Sequence, residues 1–551
     1  MVVNKGVIEK SILIIFVFLF TYLCFAPFMD RSISHTYPIG HNANDNYNFL
    51  GYSNSLKEHG TYDVLEPYLS YGYTDTIAFH PPMIHYLVVM LSNNNNLATY
   101  DSMLIICFFF SIVAILLFYL IIRKIDVELA LLSLPLMGML YPNFPNKLLL
   151  KILWGQFPFI LGTALFILFF WAMQRFEMKG SGFLISISII GMVFSHTSEF
   201  IFAMFFLAIF TVYRYFIKGL DRPFFKKIIV IGIPSFMVSA YYLYIFYFTF
   251  MSTRPYYFYM LFNKENMMFA SFEHLFPWMN ILIFIGLFLS LTLYKKKNYY
   301  PFMIGTFIVL ISFTNLIGFG KRGLETRYFF PIYLSVFFGY SLYLLINLFK
   351  KNTYVRKNRF LIVSVISLIL ISSITYSVKI GSPGSLAPEQ FYEGMMWIRH
   401  NTPKDANVYY AFNNNIGQTS ILFETMRMGQ RQEWEDLLRK AQNGDLLADI
   451  SEVRTSFEHS SHLSYFDRLS IKKHVDSTEK IMFQNQSICS YDYHFYPFFN
   501  LPPELIKFHE DSANALIDTG KFDLVYFNDF VAIIRNNDIG DSCEFEDNRE
   551  N

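Results

Sequence analysis

The chain has 551 residues, of which 54% are hydrophobic, 19% aromatic and 16% charged, and its formal net charge is +1. An average soluble protein has about 25% charged residues, so a soluble domain of this composition would expose apolar surface and aggregate. The apolar excess indicates a membrane protein, and the small net charge argues against a global attraction to nucleic acid or to an acidic partner.

The first predicted element is the apolar segment from Ser11 to Met29, which follows Lys5 and Lys10. Its length, its aromatic residues and its lack of a small-residue cleavage site favour a spanning helix over a signal peptide. Ten further apolar segments each hold about one membrane thickness of helix, although the second of them is short. They are Met103–Ile122, Val127–Leu140, Phe157–Met173, Gly182–Ser198, Phe200–Phe216, Ile228–Thr249, Trp278–Tyr294, Pro301–Phe319, Tyr328–Phe349 and Phe360–Val378. The sequence therefore predicts a polytopic α-helical membrane domain over residues 1–380 with about 11 transmembrane helices.

Basic residues are distributed unequally between the two predicted sides of the membrane. The N-terminal segment and the loops on its side carry nineteen Lys and Arg residues, whereas the opposite loops, without the C-terminal region, carry nine. By the positive-inside rule the N-terminus is predicted to be cytoplasmic. Because the predicted number of spans is odd, the C-terminal region is predicted to lie outside the cytoplasm.

The predicted first outer loop, residues 30–102, contains a helical pattern. Phe49, Tyr52 and Leu56 follow Asp45 at helical spacing, and Gly60 is a suitable stop. We expect this helix to lie along the outer membrane face, with Asp45 at or just before its start. A carboxylate there accepts backbone N–H bonds and is favoured by the helix dipole, so a plain helix cap and a functional acid are both open for Asp45.

The same loop ends in Phe79-His80-Pro81-Pro82, followed by an apolar run that begins at Met83. The residue before a proline is restricted to extended conformations, so the two prolines predict an extended entry into the next element. The apolar run suits a re-entrant or interfacial helix.

A polar group stands at the predicted outer end of the fifth span. Within Ser195-His196-Thr197-Ser198-Glu199, His196 and Glu199 are three residues apart, so on a continuous helix they share one face. Ionisable groups at a membrane boundary justify a functional hypothesis. The alternative is a polar hairpin between two spans.

The loop before the tenth span holds Lys321, Arg322 and Arg327, although the outer loops of this chain are otherwise poor in basic residues. A phosphate on a lipid would need such donors, and arginine can bind it with two parallel hydrogen bonds. Simple anchoring to lipid head groups is the alternative.

The C-terminal region, residues 381–551, reads as a separate extracytoplasmic α/β domain. An amphipathic helix begins at Pro388 and ends at a Thr402-Pro403 turn before a strand, and Phe522–Phe527 and Phe530–Ile534 read as paired strands. Cys489 and Cys543 both lie in this region, where they can form a bridge or stay reduced. The four cysteines of the chain show no metal-ligand spacing.

These segments together resemble the GT-C superfamily of membrane glycosyltransferases, here of prokaryotic type, which use sugars carried on polyprenyl phosphates. The resemblance rests on the first outer loop with Asp45 and its two prolines, on Trp154-Gly155-Gln156-Phe157-Pro158 before the fourth span, on the polar group at His196 and on the segment that begins at Pro388. It implies a GT-C-like fold and inverting transfer of a sugar from a polyprenyl-phosphate donor to an extracytoplasmic glycan, lipid or protein.

The resemblance also implies roles for single residues. Asp45 would take the proton of the acceptor hydroxyl, and Arg327 would stabilise the phosphate leaving group. The candidate substrate-binding residues are Arg327, Arg322, Lys321, His80, His196 and Glu199, and among the three basic ones the resemblance points to Arg327. No cofactor is certain, and a divalent metal stays open because one acidic position does not define a metal site. The five tryptophans are never adjacent, so the Trp-Trp-Asp motif of oligosaccharyltransferases is missing, which favours transfer of a single sugar or a short glycan.

Two other classes of protein remain as alternatives. A transporter or lipid flippase usually has repeated halves and helices broken at mid-membrane, and neither pattern is visible in this sequence. A non-catalytic assembly protein built on a GT-C-like scaffold would have the same pattern. Convergence of Asp45 and Arg327 on one outward cavity would favour the enzyme.

Overall fold

The computed structural model describes residues 4–25, 33–41, 44–62, 81–138, 155–178, 180–219, 221–252, 277–293, 299–312, 330–376, 385–410, 428–431, 491–499, 501 and 503–539. The predicted residues that lie outside these ranges are His80, Lys321, Arg322, Arg327, Cys489 and Cys543. Asp45 is described by its backbone alone.

The membrane part of the chain is built from helices, most of them apolar. In chain order they are α1 Lys5–Phe25, α2 Asn44–His59, α3 Met83–Asn95, α4 Thr99–Arg123, α5 Val127–Met137, α6 Phe157–Met173, α7 Ser181–Ser195, α8 Thr197–Lys218, α9 Arg222–Ser252, α10 Pro277–Ser290, α11 Tyr300–Ser312, α12 Phe330–Leu348 and α13 Thr353–Tyr376. Each predicted span overlaps one of these helices within the described residues, and α2 and α3 fall in the predicted first outer loop.

Five stretches of these helices are long and apolar enough to cross a membrane, judged by length and composition within the described residues. They are Lys5–Leu23, Thr99–Arg123, Ser198–Phe216, Arg222–Ala240 and Pro331–Leu348, and shorter apolar helices accompany them. The chain is therefore a multi-pass membrane protein. The number of helices that cross the membrane stays a prediction.

Glycines bring α12 close to two of its neighbours. A Cβ atom on Gly339 of α12 would lie 2.2 Å from the Oγ of Ser133 in α5, and one on Gly286 of α10 would lie 2.0 Å from the backbone oxygen of Phe337. Helices can approach this closely only where a side chain is missing, and small residues are typical of helix contacts in membranes. As a result α12 packs tightly between α5 and α10.

One end of the bundle gathers the basic connections. Arg123 at the end of α4 pairs with Glu9 of α1, and Arg359 in α13 pairs with Glu128 of α5 at 2.6 Å. The guanidinium carbon of Arg359 also lies 4.5 Å from the ring centre of Tyr343 in α12. We call this end the basic face. The arrangement agrees with the prediction that these connections share one side of the membrane, and the orientation of that side stays a prediction.

The other end of α4 lies beside α2 and α3, and we call it the α2 face. The helix predicted between Asp45 and Gly60 is confirmed, because α2 ends at His59 and Gly60 takes a left-handed φ of 74°. Tyr52 and Leu56, two of the apolar positions that predicted this helix, are buried, at 2% and 3% exposed. That the helix lies along the outer membrane face stays a prediction.

The C-terminal region contains a mixed five-stranded sheet in the order β2-β1-β3-β5-β4. Its elements are α14 Glu389–Asn401, β1 Asn407–Tyr410, β2 Met428–Arg431, β3 Tyr493–Pro497, α15 Pro503–Asp518, β4 Phe522–Asn528 and β5 Val531–Asn536. Strands β1, β2 and β3 run parallel, whereas β5 pairs antiparallel with both β3 and β4. The predicted helix after Pro388 and the predicted pair of terminal strands are confirmed, and the α/β character with them.

The C-terminal region packs directly on the α2 face. Thr36 donates to Glu389 at 2.7 Å, and Arg399 of α14 donates to Glu58 of α2 at 2.8 Å. The two parts of the chain therefore meet on the side that holds the predicted first outer loop. The division into domains at residue 380 remains a prediction.

Candidate functional site

Asp45 is the second residue of α2 and lies in its first turn. The backbone N–H groups of this turn have no partner inside the helix, and the helix dipole favours a negative charge there. The residues that follow Asp45 hold the turn in place, because Tyr47 and Leu50 are fully buried. The turn is therefore fixed by packing, as a catalytic carboxylate would need.

His41 connects this turn with α4 and α6. Its ring centre lies 6.5 Å from that of Tyr47 in α2, 6.5 Å from that of Tyr100 in α4 and 5.6 Å from that of Phe157 in α6. Burial lowers the pKa of His41 to about 3, although the backbone of Tyr100 acts in the opposite direction. The imidazole is therefore uncharged near neutral pH, and its ring packs between the N-terminal ends of α2, α4 and α6.

His196 and Glu199 form a pair at the junction of α7 and α8. His196 ends α7 and precedes α8 in an extended conformation, with φ −159° and ψ 113°. This break turns its ring back, so that Nδ1 of His196 bonds to Oε2 of Glu199. The side chain of Glu199 is 3% exposed and that of His196 is 27% exposed. The sequence predicted that the two residues share one helical face, and the structure brings them together through a break in the helix instead.

A glycine in α6 makes room for this pair. A Cβ atom on Gly162 would lie 2.8 Å from Cβ of His196 and 3.1 Å from Oε2 of Glu199. Phe159, one turn earlier in α6, packs its ring against His196 with 5.4 Å between ring centres. Phe157 of α6 also contacts His41, which packs against α2. One continuous layer of contacts at the α2 face therefore joins the first turn of α2, the first turns of α6 and the α7–α8 junction.

A second acid–imidazole pair was not expected from the sequence. His35 places its Nδ1 at 2.6 Å from Oδ1 of Asp101, and its backbone N–H donates to Oδ2 at 2.9 Å. The hydroxyl of Tyr100 donates to the backbone oxygen of His35 at 2.6 Å. The only sequence signal was an acid in the first turn of a long apolar helix, where a charge needs a partner. This pair holds the segment before α2 against the N-terminal end of α4.

Several predicted site residues cannot be placed relative to this layer. His80, Lys321, Arg322 and Arg327 lie outside the described residues, as does the side chain of Asp45. Their assignments stay predictions. Among the described residues, no group of three or more His, Cys, Asp or Glu side chains could hold a metal ion.

No protein-family model matches the chain, and no curated protein matches it. Solved structures with the same fold do match. The oligosaccharyltransferase AglB from Archaeoglobus fulgidus, in complex with an inhibitory peptide and a dolichol-phosphate, is 13% identical, with a TM-score of 0.54 over 76% of this chain and 64% of that chain. The present chain thus spans less than two thirds of that enzyme.

Two further structures extend the similarity over nearly the whole chain. ArnT from Cupriavidus metallidurans, bound to undecaprenyl phosphate, is 10% identical, with a TM-score of 0.50 over 95% of this chain and 97% of that chain. The arabinofuranosyltransferase AftD from Mycobacteria is 10% identical, with a TM-score of 0.54 over 96% of this chain and 40% of that chain. Together with the multi-pass helical bundle and the C-terminal sheet, these matches show that the chain shares the fold of AglB, ArnT and AftD.

Proposed function

We propose that the chain is a membrane glycosyltransferase that moves a sugar from a polyprenyl-phosphate-linked donor to an acceptor outside the cytoplasm. The observation that carries this proposal is the layer at the α2 face, where the turn of Asp45 and the His196–Glu199 pair lie at the same end of a GT-C fold. On this proposal the α2 face is extracytoplasmic and the basic face is cytoplasmic.

The ligands of the matching structures support the class of donor. AglB was solved with a dolichol-phosphate and ArnT with undecaprenyl phosphate, and both ligands are polyprenyl phosphates. The tryptophans of the present chain are never adjacent, so the Trp-Trp-Asp motif of oligosaccharyltransferases is missing. This difference favours transfer of a single sugar or a short glycan over transfer of a large oligosaccharide.

The proposed reaction is a single inverting displacement. The acceptor oxygen forms a bond to the anomeric carbon of the sugar while the bond from that carbon to the phosphate oxygen breaks. The carboxylate of Asp45 takes the acceptor proton, and the electron pair leaves with the polyprenyl phosphate. Arg327, with Arg322 or Lys321, stabilises the charge that develops on this phosphate.

His196 and Glu199 are proposed to bind substrate beside this centre. The buried carboxylate of Glu199 fixes the orientation of the imidazole, whose partly exposed ring can meet a sugar hydroxyl. A ring held by a second group at one nitrogen loses little freedom when it binds, so the pair is preorganised. His80, in the same predicted loop as Asp45, is proposed to contribute to the same subsite.

The decisive experiment incubates membranes that contain the protein with a panel of labelled polyprenyl-phosphate sugars and measures consumption of each donor. Wild type should consume at least one donor and release polyprenyl phosphate. Asp45→Asn should lower the rate by roughly 10²–10⁴-fold, because the amide keeps the size and capping ability of the acid but cannot take a proton. Asp518→Asn, an exposed change in the last turn of α15, is the matched control and should leave the rate unchanged.

Two outcomes would count against separate parts of the proposal. If wild type consumes none of the donors, the transferase assignment itself is wrong. If wild type is active and Asp45→Asn turns over at a near-normal rate, the transferase assignment stands and Asp45 is only a helix cap.

A further inference from the structure

The hairpin of α12 and α13 encloses an apolar groove at the basic face, at the other end of the bundle from the candidate site. Its volume is about 330 Å³, and its walls consist of Leu, Ile, Val and Phe side chains from the two helices and their turn. Leu345 is 46% exposed and Phe349 is 63% exposed, so the groove opens on the outside of the bundle. In a multi-pass membrane protein this surface faces the bilayer.

The mouth of the groove is strongly basic. Lys350 and Lys351 form the turn that closes it, and Arg356 and Lys357 follow in the first turns of α13, all of them exposed. The sequence has no Asp or Glu from residue 326 to residue 388, so the hairpin supplies no acidic partner of its own. In the described part of the chain, the nearby acids are already engaged: Glu128 pairs with Arg359, and Asp126 caps α5 and accepts a hydrogen bond from Tyr343.

We propose that this groove binds an anionic phospholipid, with an acyl chain between α12 and α13 and the phosphate on Lys350 and Lys351. An apolar groove at the bilayer has no polar group to hold water, and a hydrocarbon chain matches its lining. Four exposed cations, for which no ion pair is seen among the described residues, favour an anionic head group over a zwitterionic one, whose own ammonium would offset the attraction. The proposal is independent of the glycosyltransferase assignment.

The charge of the mouth argues for a lipid over an apolar helix of a partner protein as the occupant, because such a helix would bring no anion to Lys350 and Lys351. A flexible acyl chain can enter the groove along its length.

The test uses the purified full chain in detergent and native mass spectrometry with two lipids of identical acyl chains, phosphatidylglycerol and phosphatidylcholine. Wild type should bind the anionic lipid at least tenfold more tightly. The double variant Lys350→Gln/Lys351→Gln should lose about fivefold in affinity for phosphatidylglycerol per removed charge and keep its affinity for phosphatidylcholine. Arg222→Gln/Lys226→Gln, which removes two exposed charges at the start of α9, should leave both affinities unchanged.

A second pair of variants tests the groove itself. Ile362→Trp fills the groove from α13 and should lower phosphatidylglycerol binding at least tenfold. Leu361→Trp changes the adjacent residue, which is 50% exposed and outside the lining, and should have no effect.

Four results would overturn the proposal. They are equal affinity of wild type for both lipids, equal losses in the two charge variants, unchanged binding by Ile362→Trp, and a lipid-insensitive dimer that Ile362→Trp dissociates. The last of these would assign the groove to a second copy of the chain.

Discussion

The hydroxyl oxygen of Tyr47 accepts a hydrogen bond from the backbone N–H of Ala387 over 3.2 Å. The same hydroxyl lies 3.3 Å from Oγ of Ser385, which itself donates to the backbone oxygen of Pro38 at 3.0 Å. Tyr47 is fully buried and follows Asp45 by two residues. The chain that enters the C-terminal region therefore helps to fix the turn that carries the proposed base.

Tyr47→Phe should destabilise this junction. The ring still fills its space, but the buried N–H of Ala387 loses its acceptor, which costs about 1–3 kcal/mol. We expect a lower melting temperature of the purified protein and a lower kcat for sugar transfer, with little change in KM. Tyr86→Phe, at a tyrosine that is 46% exposed, is the control and should change neither. An unaltered melting temperature for Tyr47→Phe would mean that the bond contributes nothing.

The helical framework could be predicted from the sequence because its signals are local. The span predicted at Phe157–Met173 coincides with α6, whose start is marked by Pro158 and whose apolar run has no interruption. Likewise α2 followed from the spacing of Phe49 and Leu56 and from Gly60 as a stop. Apolar runs and turn residues determine where a helix begins and ends regardless of the rest of the chain.

The contacts that assemble the candidate site could not be predicted, because they join residues far apart in the chain. Tyr47 and Ala387 are separated by 340 positions, and His35 and Asp101 by 66. Neither pair leaves a local pattern. Even the neighbours His196 and Glu199 meet through a helix break that Gly162 of another helix accommodates, so their geometry depends on packing that a single sequence does not encode locally.

Gly162→Ala should therefore disturb the His196–Glu199 pair. The added methyl group would lie 2.8 Å from Cβ of His196, and overpacking of this kind costs about 1–3 kcal/mol. We expect a higher KM for the donor or acceptor in the consumption assay. Gly232→Ala is the matched control, because a Cβ there meets nothing within 4 Å, and it should be neutral or stabilising. Equal kinetic constants for both variants would indicate that the His196–Glu199 pair does not take part in substrate binding.

Arg327 is expected to differ from its basic neighbours. If it binds the donor phosphate, Arg327→Lys should be damaging, because lysine keeps the charge but loses the planar two-pronged donor. Arg327→Ala should be worse, and Lys321→Ala and Arg322→Ala should be milder. Donor consumption by all four variants decides the question. If the loop only anchors to head groups, Arg327→Lys will be normal and the alanine variants will show equal, small losses of about 1 kcal/mol each.

The orientation in the membrane is predicted from the distribution of basic residues. A reporter that is active only outside the cytoplasm should be active when fused after Asn551 and silent when inserted within residues 295–298. The reason is that short basic loops remain cytoplasmic. A reporter inserted within Lys350–Asn352, at the basic face, serves as the control and should also be silent. The opposite pattern would place the candidate site in the cytoplasm and remove the basis of the proposed reaction.

His494 should make the stability of the protein depend on pH. It lies in β3 with its ring centre 5.3 Å from that of Tyr409 and 5.4 Å from that of Phe522. Within the described residues neither ring nitrogen has a hydrogen-bond partner. Burial lowers the pKa of His494 to about 3 from its usual value of 6.5, so the folded protein holds the ring neutral.

Between pH 6.5 and pH 3 the unfolded chain binds a proton at His494 that the folded chain does not bind. The free energy of unfolding therefore falls as the pH falls through 6.5, by about 1.4 kcal/mol between pH 7.5 and pH 5.5 for this single group. His494→Phe removes the proton site and keeps an aromatic ring among aromatic neighbours. The loss of melting temperature between pH 7.5 and pH 5.5 should accordingly be smaller in His494→Phe than in wild type. His400→Gln, at an exposed position of α14, should retain the full loss, and an identical pH dependence in wild type and His494→Phe would show that His494 is protonated in the folded protein.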